Sequence, residues 1–144
     1  MAALAVRQWF RYELRAWDAA HPAPDPLSAV YVETINLDPD PATIGAQWST
    51  LVFASSNSER VAIGPAECKR WRESGDAQVV VAARAGIGDD LVLQIAEAMR
   101  ANLRERYDLG GHFRTLDPQP PSTPADASGR WFYSFVNVPY QFDY

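Results

Sequence analysis

A chain of 144 residues with 47% hydrophobic and 22% charged side chains is long enough to bury the core of one domain. Its net charge of −5 argues against a protein that grips nucleic acid through phosphates, which needs a basic surface. One cysteine, Cys68, and two histidines, His21 and His112, allow no internal disulfide and no zinc or histidine-rich metal cluster.

In chain order, residues 3–18 predict an amphipathic helix. Val6, Phe10, Leu14 and Trp17 fall on one face, and Arg7, Arg11 and Arg15 form a second stripe. The alternate prolines at 22, 24 and 26 end it and favour a stiff, extended connector. Val30 to Asn36 alternates like a strand until Pro39 and Pro41 break the pattern. Gln47 to Ala54 is a stronger strand, with Trp48, Thr50 and Val52 on one face and Leu51 and Phe53 on the other. Ser55-Ser56-Asn57-Ser58 has turn chemistry, and Glu59 to Ile63 resumes an extended pattern, which together predict a hairpin.

Lys69-Arg70-Trp71-Arg72 and Ser74-Gly75 read as a basic-aromatic turn leading into a strand from Ala77 to Ala85. That strand is apolar on both faces and therefore central. Gly86-Ile87-Gly88 joins it to a helix capped by Asp89, along which Leu91, Ile95, Met99 and Leu103 step by four until Gly110-Gly111. His112 to Leu116 predicts a short strand. Asp117 to Gly129 is a proline-rich loop that could move in the free protein. Arg130 to Val138 predicts the last strand, whose alternation resumes past Pro139 with Tyr140, Phe142 and Tyr144. Few helices and strands in runs imply an α+β fold, one domain with a mixed or antiparallel sheet and two main helices packed on it.

Chemistry is sparse. Gly86-x-Gly88 lacks the third glycine of a dinucleotide fingerprint, and Asp89 and Asp90 would repel a phosphate there. Asp38-x-Asp40 and Asp89-Asp90 lack the glycine and distant glutamate of a calcium loop. Neither histidine sits in a nucleophile motif, and Cys68 has no recognisable partner. Catalysis, a cofactor and a bound metal are therefore not expected.

Interaction surfaces are better represented. Arg and Trp are the residue types that dominate the energetic centres of protein interfaces, so a tryptophan among cations at Arg70, Trp71 and Arg72 reads as a contact site. The last fifteen residues hold seven aromatic side chains spread over both strand faces, more than one subunit readily covers. Residues 19–58 contain no Lys or Arg while including Asp25, Glu33, Asp38 and Asp40; cations cluster on either side. Segregated charge suits head-to-tail contacts between copies, with Arg7, Arg11 and Arg15 set against Asp38 and Asp40.

Several of these features, taken in order, resemble one family. They are the early strand with Trp48, Leu51 and Phe53, then Ala62-Ile63-Gly64, and the basic-aromatic run Arg70 to Gly75. The strand Val79 to Gly88 running through a Gly-x-Gly turn into a helix follows. Gly129-Arg130-Trp131-Phe132 and Val138-Pro139-Tyr140-Gln141-Phe142-Asp143-Tyr144 close the series. From Trp48 to Tyr144 the chain resembles the tail terminator, or tail-completion, proteins of long-tailed bacteriophages and related gene-transfer particles, and the N-terminal helix fits as well.

The resemblance implies a structural virion protein that forms a ring, typically of six copies, on the head-proximal end of the tail tube. It would end tube polymerisation and offer a surface to a head-completion or neck protein. DNA would pass only transiently through its lumen. Assembly would take place in the host cytoplasm, with no membrane involved. Residues expected to meet partners are Arg70, Trp71, Arg72, Tyr140, Phe142 and Tyr144. Two other readings stay open: a head-completion or neck adaptor, and a small α+β enzyme or ligand-binding domain with an aromatic pocket.

Overall fold

The computed structural model describes residues 4–33, 45–60, 70–84, 89–122 and 131–144. The first helix, α1 (Leu4–Ala20), buries the expected face of Val6, Phe10, Leu14 and Trp17, widened by Trp9 and Glu13. The backbone N–H of His21 closes its end on the Trp17 carbonyl at 3.0 Å. The connector that follows is not extended. The Asp25 N–H bonds the Pro22 carbonyl and the Ser28 N–H bonds the Asp25 carbonyl, both at 3.0 Å. The Asp25 carboxylate accepts from the Leu27 N–H and the Trp17 indole donates to the Leu27 carbonyl. Local side-chain acceptors and the indole thus fold the proline segment into consecutive turns.

All described strands join one sheet. They are β1 (Val30–Tyr31), β2 (Gln47–Arg60), β3 (Trp71–Arg84), β4 (Tyr107–Asp108), β5 (Phe113–Thr115) and β6 (Trp131–Asp143), in spatial order β1-β2-β3-β6-β5-β4. β1 is parallel to β2 and every other pairing is antiparallel. The second helix, α2 (Asp89–Leu103), connects β3 to β4. The fold is α+β, as the element pattern predicted.

Both helices pack on the same face of the sheet. Alternate residues Ala77, Val79, Val81 and Ala83 of β3 and Val136, Val138 and Tyr140 of β6 form one buried cluster with Phe10 and Leu14 of α1 and Ile95 and Met99 of α2. The opposite face has its own buried cluster of Trp48, Val80, Ala82, Trp131 and Tyr133. There Trp48 meets Trp131 edge-on at 5.8 Å. The centre of this second face is therefore covered within one chain, and Trp131 and Tyr133 need no neighbouring copy for their burial.

Several boundaries differ from expectation. The hairpin predicted at residues 55–58 is absent, because β2 runs unbroken through those serines to Arg60 and pairs with β3 instead. The turn chemistry is absorbed by a β-bulge between Phe53 and Ser56, which inserts one residue into β2 and bends it without ending the ladder. Likewise Trp71 to Gly75 is strand, not turn, because β2 and β6 pair with it on both sides. The helix stops at Leu103, short of Gly110-Gly111. Those glycines, at φ 68° and 85°, lie in and just after a tight turn between β4 and β5.

Pro139 does not end the last strand. Trp71 and Tyr144 exchange both backbone hydrogen bonds, so by antiparallel alternation position 139 has no ladder bond with Asp76, its partner in β3. Its missing donor faces Leu116 instead, where only the Leu116 N–H to Pro139 carbonyl bond, 2.8 Å, is made. The first part of the proline-rich loop is likewise held. Gln119 and Ser122 bond the backbone of β6, and Arg100 donates to the Pro118 carbonyl. The Gly86-Ile87-Gly88 turn, Cys68, and the parts of the predicted first strand and proline loop at 34–44 and 123–130 lie outside the described residues.

Truncating Phe10 to Ala should remove about 3–5 kcal/mol of stability in urea unfolding, because its fully buried ring sits between both helices and the sheet. Tyr12→Ala, two residues further along the same helix and 68% exposed, should stay within about 0.5 kcal/mol of the parent.

Candidate functional site

The two candidate contact segments lie 70 residues apart in the chain, yet β3 begins where β6 ends. The Trp71 N–H bonds the Tyr144 carbonyl and the Tyr144 N–H bonds the Trp71 carbonyl, each at 2.9 Å. Side chains on a strand alternate between faces. Trp71, directly opposite Tyr144, therefore shares the helix-side face with Glu73 and Phe142, while Arg72 and Asp143 share the other.

On the helix side Phe142 stacks on Tyr144 at 5.7 Å and 20°. The Tyr144 hydroxyl lies 3.1 Å from Ser58 Oγ on β2. Trp71 is 40% and Tyr144 58% exposed, well above what a packed core leaves open. Ala5, Leu109, His112, Phe142 and Tyr144 line an apolar groove of about 310 Å³ beside them. Exposed aromatics contiguous with an apolar groove are what a protein contact site presents.

On the other side the Arg72 guanidinium grips the Asp143 carboxylate with two bonds, Nε to Oδ1 at 2.7 Å and Nη2 to Oδ2 at 2.9 Å. These bonds hold the Asp143 carboxyl below the usual carboxylate range, and the charges of Arg72, Arg114 and Arg70 lower it further. The same contact raises Arg72. Arg114 on β5 donates Nε to Gln141 Oε1 at 2.8 Å. Arg70, just before β3, is exposed, and its charge acts on Asp143 together with those of Arg72 and Arg114. Arg60 on β2 stands opposite Trp71 and so belongs to the helix side of the same sheet end.

Tyr140 does not belong to this surface. Only 2% exposed, it packs against Phe10 and Phe113 at 6.1 Å from each. Its hydroxyl donates to buried Glu73 at 3.3 Å. Burial, reinforced by the adjacent Glu73, pushes that hydroxyl far above the ordinary phenol range. The alternation that exposes Tyr144 drives Tyr140 inward, because at residue 140 the helix side is roofed by α1. Gly75, its partner in β3, leaves the room: a Cβ there would come within 2.8 Å of the Tyr140 hydroxyl and 3.0 Å of Ser56 Cβ.

The arginine stripe of α1 faces β1 and β2 of its own chain. Arg7 lies over the Phe53 ring at 4.8 Å, Arg11 hydrogen-bonds Tyr31, and Arg15 pairs with Glu33 and covers the Tyr31 ring at 5.7 Å. Asp38 and Asp40, expected to oppose this stripe on another copy, lie outside the described residues. Asp143 and Arg114 are not candidates in the sequence reading, which counts Arg60 only among the cations that follow the acidic stretch. Continued alternation past Pro139 was a signal for Asp143, but only the β3–β6 register puts it opposite Arg72.

Among the described residues no three His, Cys, Asp or Glu side chains gather as metal ligands, and no helix is long and apolar enough to cross a membrane. His21 stacks on Trp17 at 4.1 Å, and His112 lies exposed at the rim of the apolar groove.

No protein-family model and no curated protein matches this sequence. One solved structure superposes over 99% of this chain and 96% of its own, with a TM-score of 0.57 and 20% identity, a likeness that extends to the fold alone.

A double-mutant cycle with Arg72→Ala and Asp143→Asn should give a coupling of about 0.2–1 kcal/mol, the range of a partly exposed pair. Because Asp143 is depressed in the folded state, its contribution is present above the ordinary carboxylate pKa. It is lost as pH falls through the lower folded value. The stability gap between parent and Asp143→Asn should therefore hold steady from about pH 5 to 8 and close below about pH 4. Gly75→Ala should cost about 1–3 kcal/mol by overpacking in thermal or urea unfolding, with part recovered by adding Tyr140→Phe.

Proposed function

We infer that this chain is a tail terminator: a structural ring protein that caps the tail tube of a phage-like particle and presents a surface to the neck. The observation that carries the reading is the exposed Trp71–Tyr144 pair at the end of the three longest strands, flanked by an apolar groove and by guanidiniums. Rigid aromatic anchors beside arginines form a protein contact surface. A two-layer sheet with both helices on one face leaves such a strand end free to meet a neighbour.

The other aromatic side chains support this choice over an aromatic ligand pocket. Trp48, Trp131 and Tyr133 pack on one another, and Phe10, Phe113 and Tyr140 pack together on the helix side. A concavity of about 540 Å³ near Ser56 and Gln141 is lined by polar groups, including Asn57, Ser74 and Asp76, and in equal measure by apolar surface such as Leu116 and Pro139; among the described residues Tyr140 is the only aromatic side chain lining it. The acidic net charge suits a conduit for DNA, since an acidic wall does not hold phosphates.

Light scattering over a concentration series, with and without the tube protein of the same particle, tests this function. Six-fold mass, alone or only with the tube, is the expected result. Mass that rises only with a portal-side neck protein would move the assignment to a neck adaptor, and a monomer throughout would remove the ring. Trp71→Ala with Tyr144→Ala should abolish assembly while the monomer stays folded, losing no more than about 1–3 kcal/mol in urea unfolding, because both side chains are only partly covered.

A further inference from the structure

We propose that the proline segment from Asp117 to Ser122 is a stop on the growth of the sheet. It closes the outer edge of β6 so that a second copy of this chain cannot add a strand there. The proposal goes beyond the ring reading and stands whether or not a ring forms.

On β6 the backbone groups of residues 135, 137, 139, 141 and 143 point away from β3, since Asp143 donates to His112 and Gln141 stands opposite Arg114 of β5. Leu116 continues this register, its N–H bonding the Pro139 carbonyl at 2.8 Å. A regular strand would next set Pro118 opposite Asn137 and Pro120 opposite Phe135. Neither proline has an N–H to give. The chain instead takes in one extra residue at each step. The Gln119 N–H reaches the Asn137 carbonyl at 2.9 Å, and Ser122 exchanges both bonds with Phe135, at 3.0 and 2.8 Å. The prolines thus set the slip, and the outward carbonyls of residues 135, 137 and 139 are all still satisfied.

The outer side of the segment is poor in donors. Between its bonded positions lie Asp117, Pro118, Pro120 and Pro121, of which Asp117 alone has a backbone N–H. A further strand needs a donor at every second residue to build a ladder. Helix α2 holds the segment down. Arg100 Nε donates to the Pro118 carbonyl at 3.0 Å, and Arg104 Nε pairs with Asp117 Oδ1 at 2.9 Å. Pro118 is itself buried.

A second copy is the partner that this stop excludes. An antiparallel edge is complementary to itself about a two-fold axis, so a regular strand at this end of the sheet would pair with its counterpart in another copy. Strand addition draws its affinity from main-chain bonds and needs no matching side-chain surface.

The test puts Pro118→Thr, Pro120→Thr and Pro121→Thr together into the full chain, alone and combined with Trp71→Ala and Tyr144→Ala, which removes the strand-end surface. In each background the triple variant should dimerise, by light scattering, at concentrations at least about tenfold below those its background needs. Its new amides at 118 and 120 should exchange slowly with solvent hydrogen, because β6 now accepts them. Adding Gln119→Lys, a charge at an exposed edge position, should suppress the dimer again. Pro120→Thr with Pro121→Thr keeps buried Pro118 and its bond to Arg100, carries less risk to folding, and should give a weaker dimer of the same kind.

Unchanged mass in both proline variants would overturn the proposal, because a regular edge would then exist without recruiting a copy. Fast exchange of the new amides in a folded triple variant would overturn it as well, since the prolines would not be the cause of the slip. In the parent the Gln119 and Ser122 amides should exchange slowly, and fast exchange at both would remove the closed edge itself.

Discussion

The β3–β6 ladder is the constraint on which the rest of the structure depends. It runs from Arg72–Asp143 to Arg84–Trp131 without a register shift. The side-chain period of a strand is two, so a slip of one residue would reverse every side chain on β6. Val136, Val138 and Tyr140 would leave the helix-side core, and Trp131 and Tyr133 would leave the core behind the sheet. Burial on both faces therefore makes this register far more costly to change than in a sheet with one wet face.

Between the long strands the ladder shifts register once, in β2. Its bulge inserts one residue after Phe53, which brings Ser56 opposite Gly75 and into hydrogen-bonding reach of the Tyr140 hydroxyl. Gly75 supplies the space for that hydroxyl to approach the strand. Bulge, glycine and buried tyrosine form one packing unit. It marks where the helix-covered part of the sheet gives way to the open end with Trp71 and Tyr144. Beyond that line the same alternation that filled the core exposes its side chains.

The α1 side is held by polar bonds as well as apolar packing. Arg106 reaches the buried Glu13 carboxylate at 3.0 Å, and the Trp9 indole donates to Asp108 at 2.8 Å. Thr115 bridges the Leu103 carbonyl and the Arg106 N–H. These bonds tie the first helix to the segment between α2 and β5.

The sequence by itself determined the elements whose signals are local. The spacing of Val6, Phe10, Leu14 and Trp17 defined the buried face of α1, and the apolar centre of β3 marked it as the middle of the sheet. Asp89 began α2, and the strand-rich pattern gave the α+β class. It also supplied the aromatic and cationic residues of the candidate site. Only the tertiary structure decided which of them meet. Turn-forming serines at 55–58, the run at Trp71–Gly75 and Pro139 all read locally as breaks, yet pairing across the sheet made each of them strand. Whether Tyr140 is buried while Tyr144 is exposed, and whether Arg72 finds Asp143, depends on register and on how far α1 roofs the sheet. Those are relations between segments distant in the chain, set by burying two faces at once, and no local pattern encodes them.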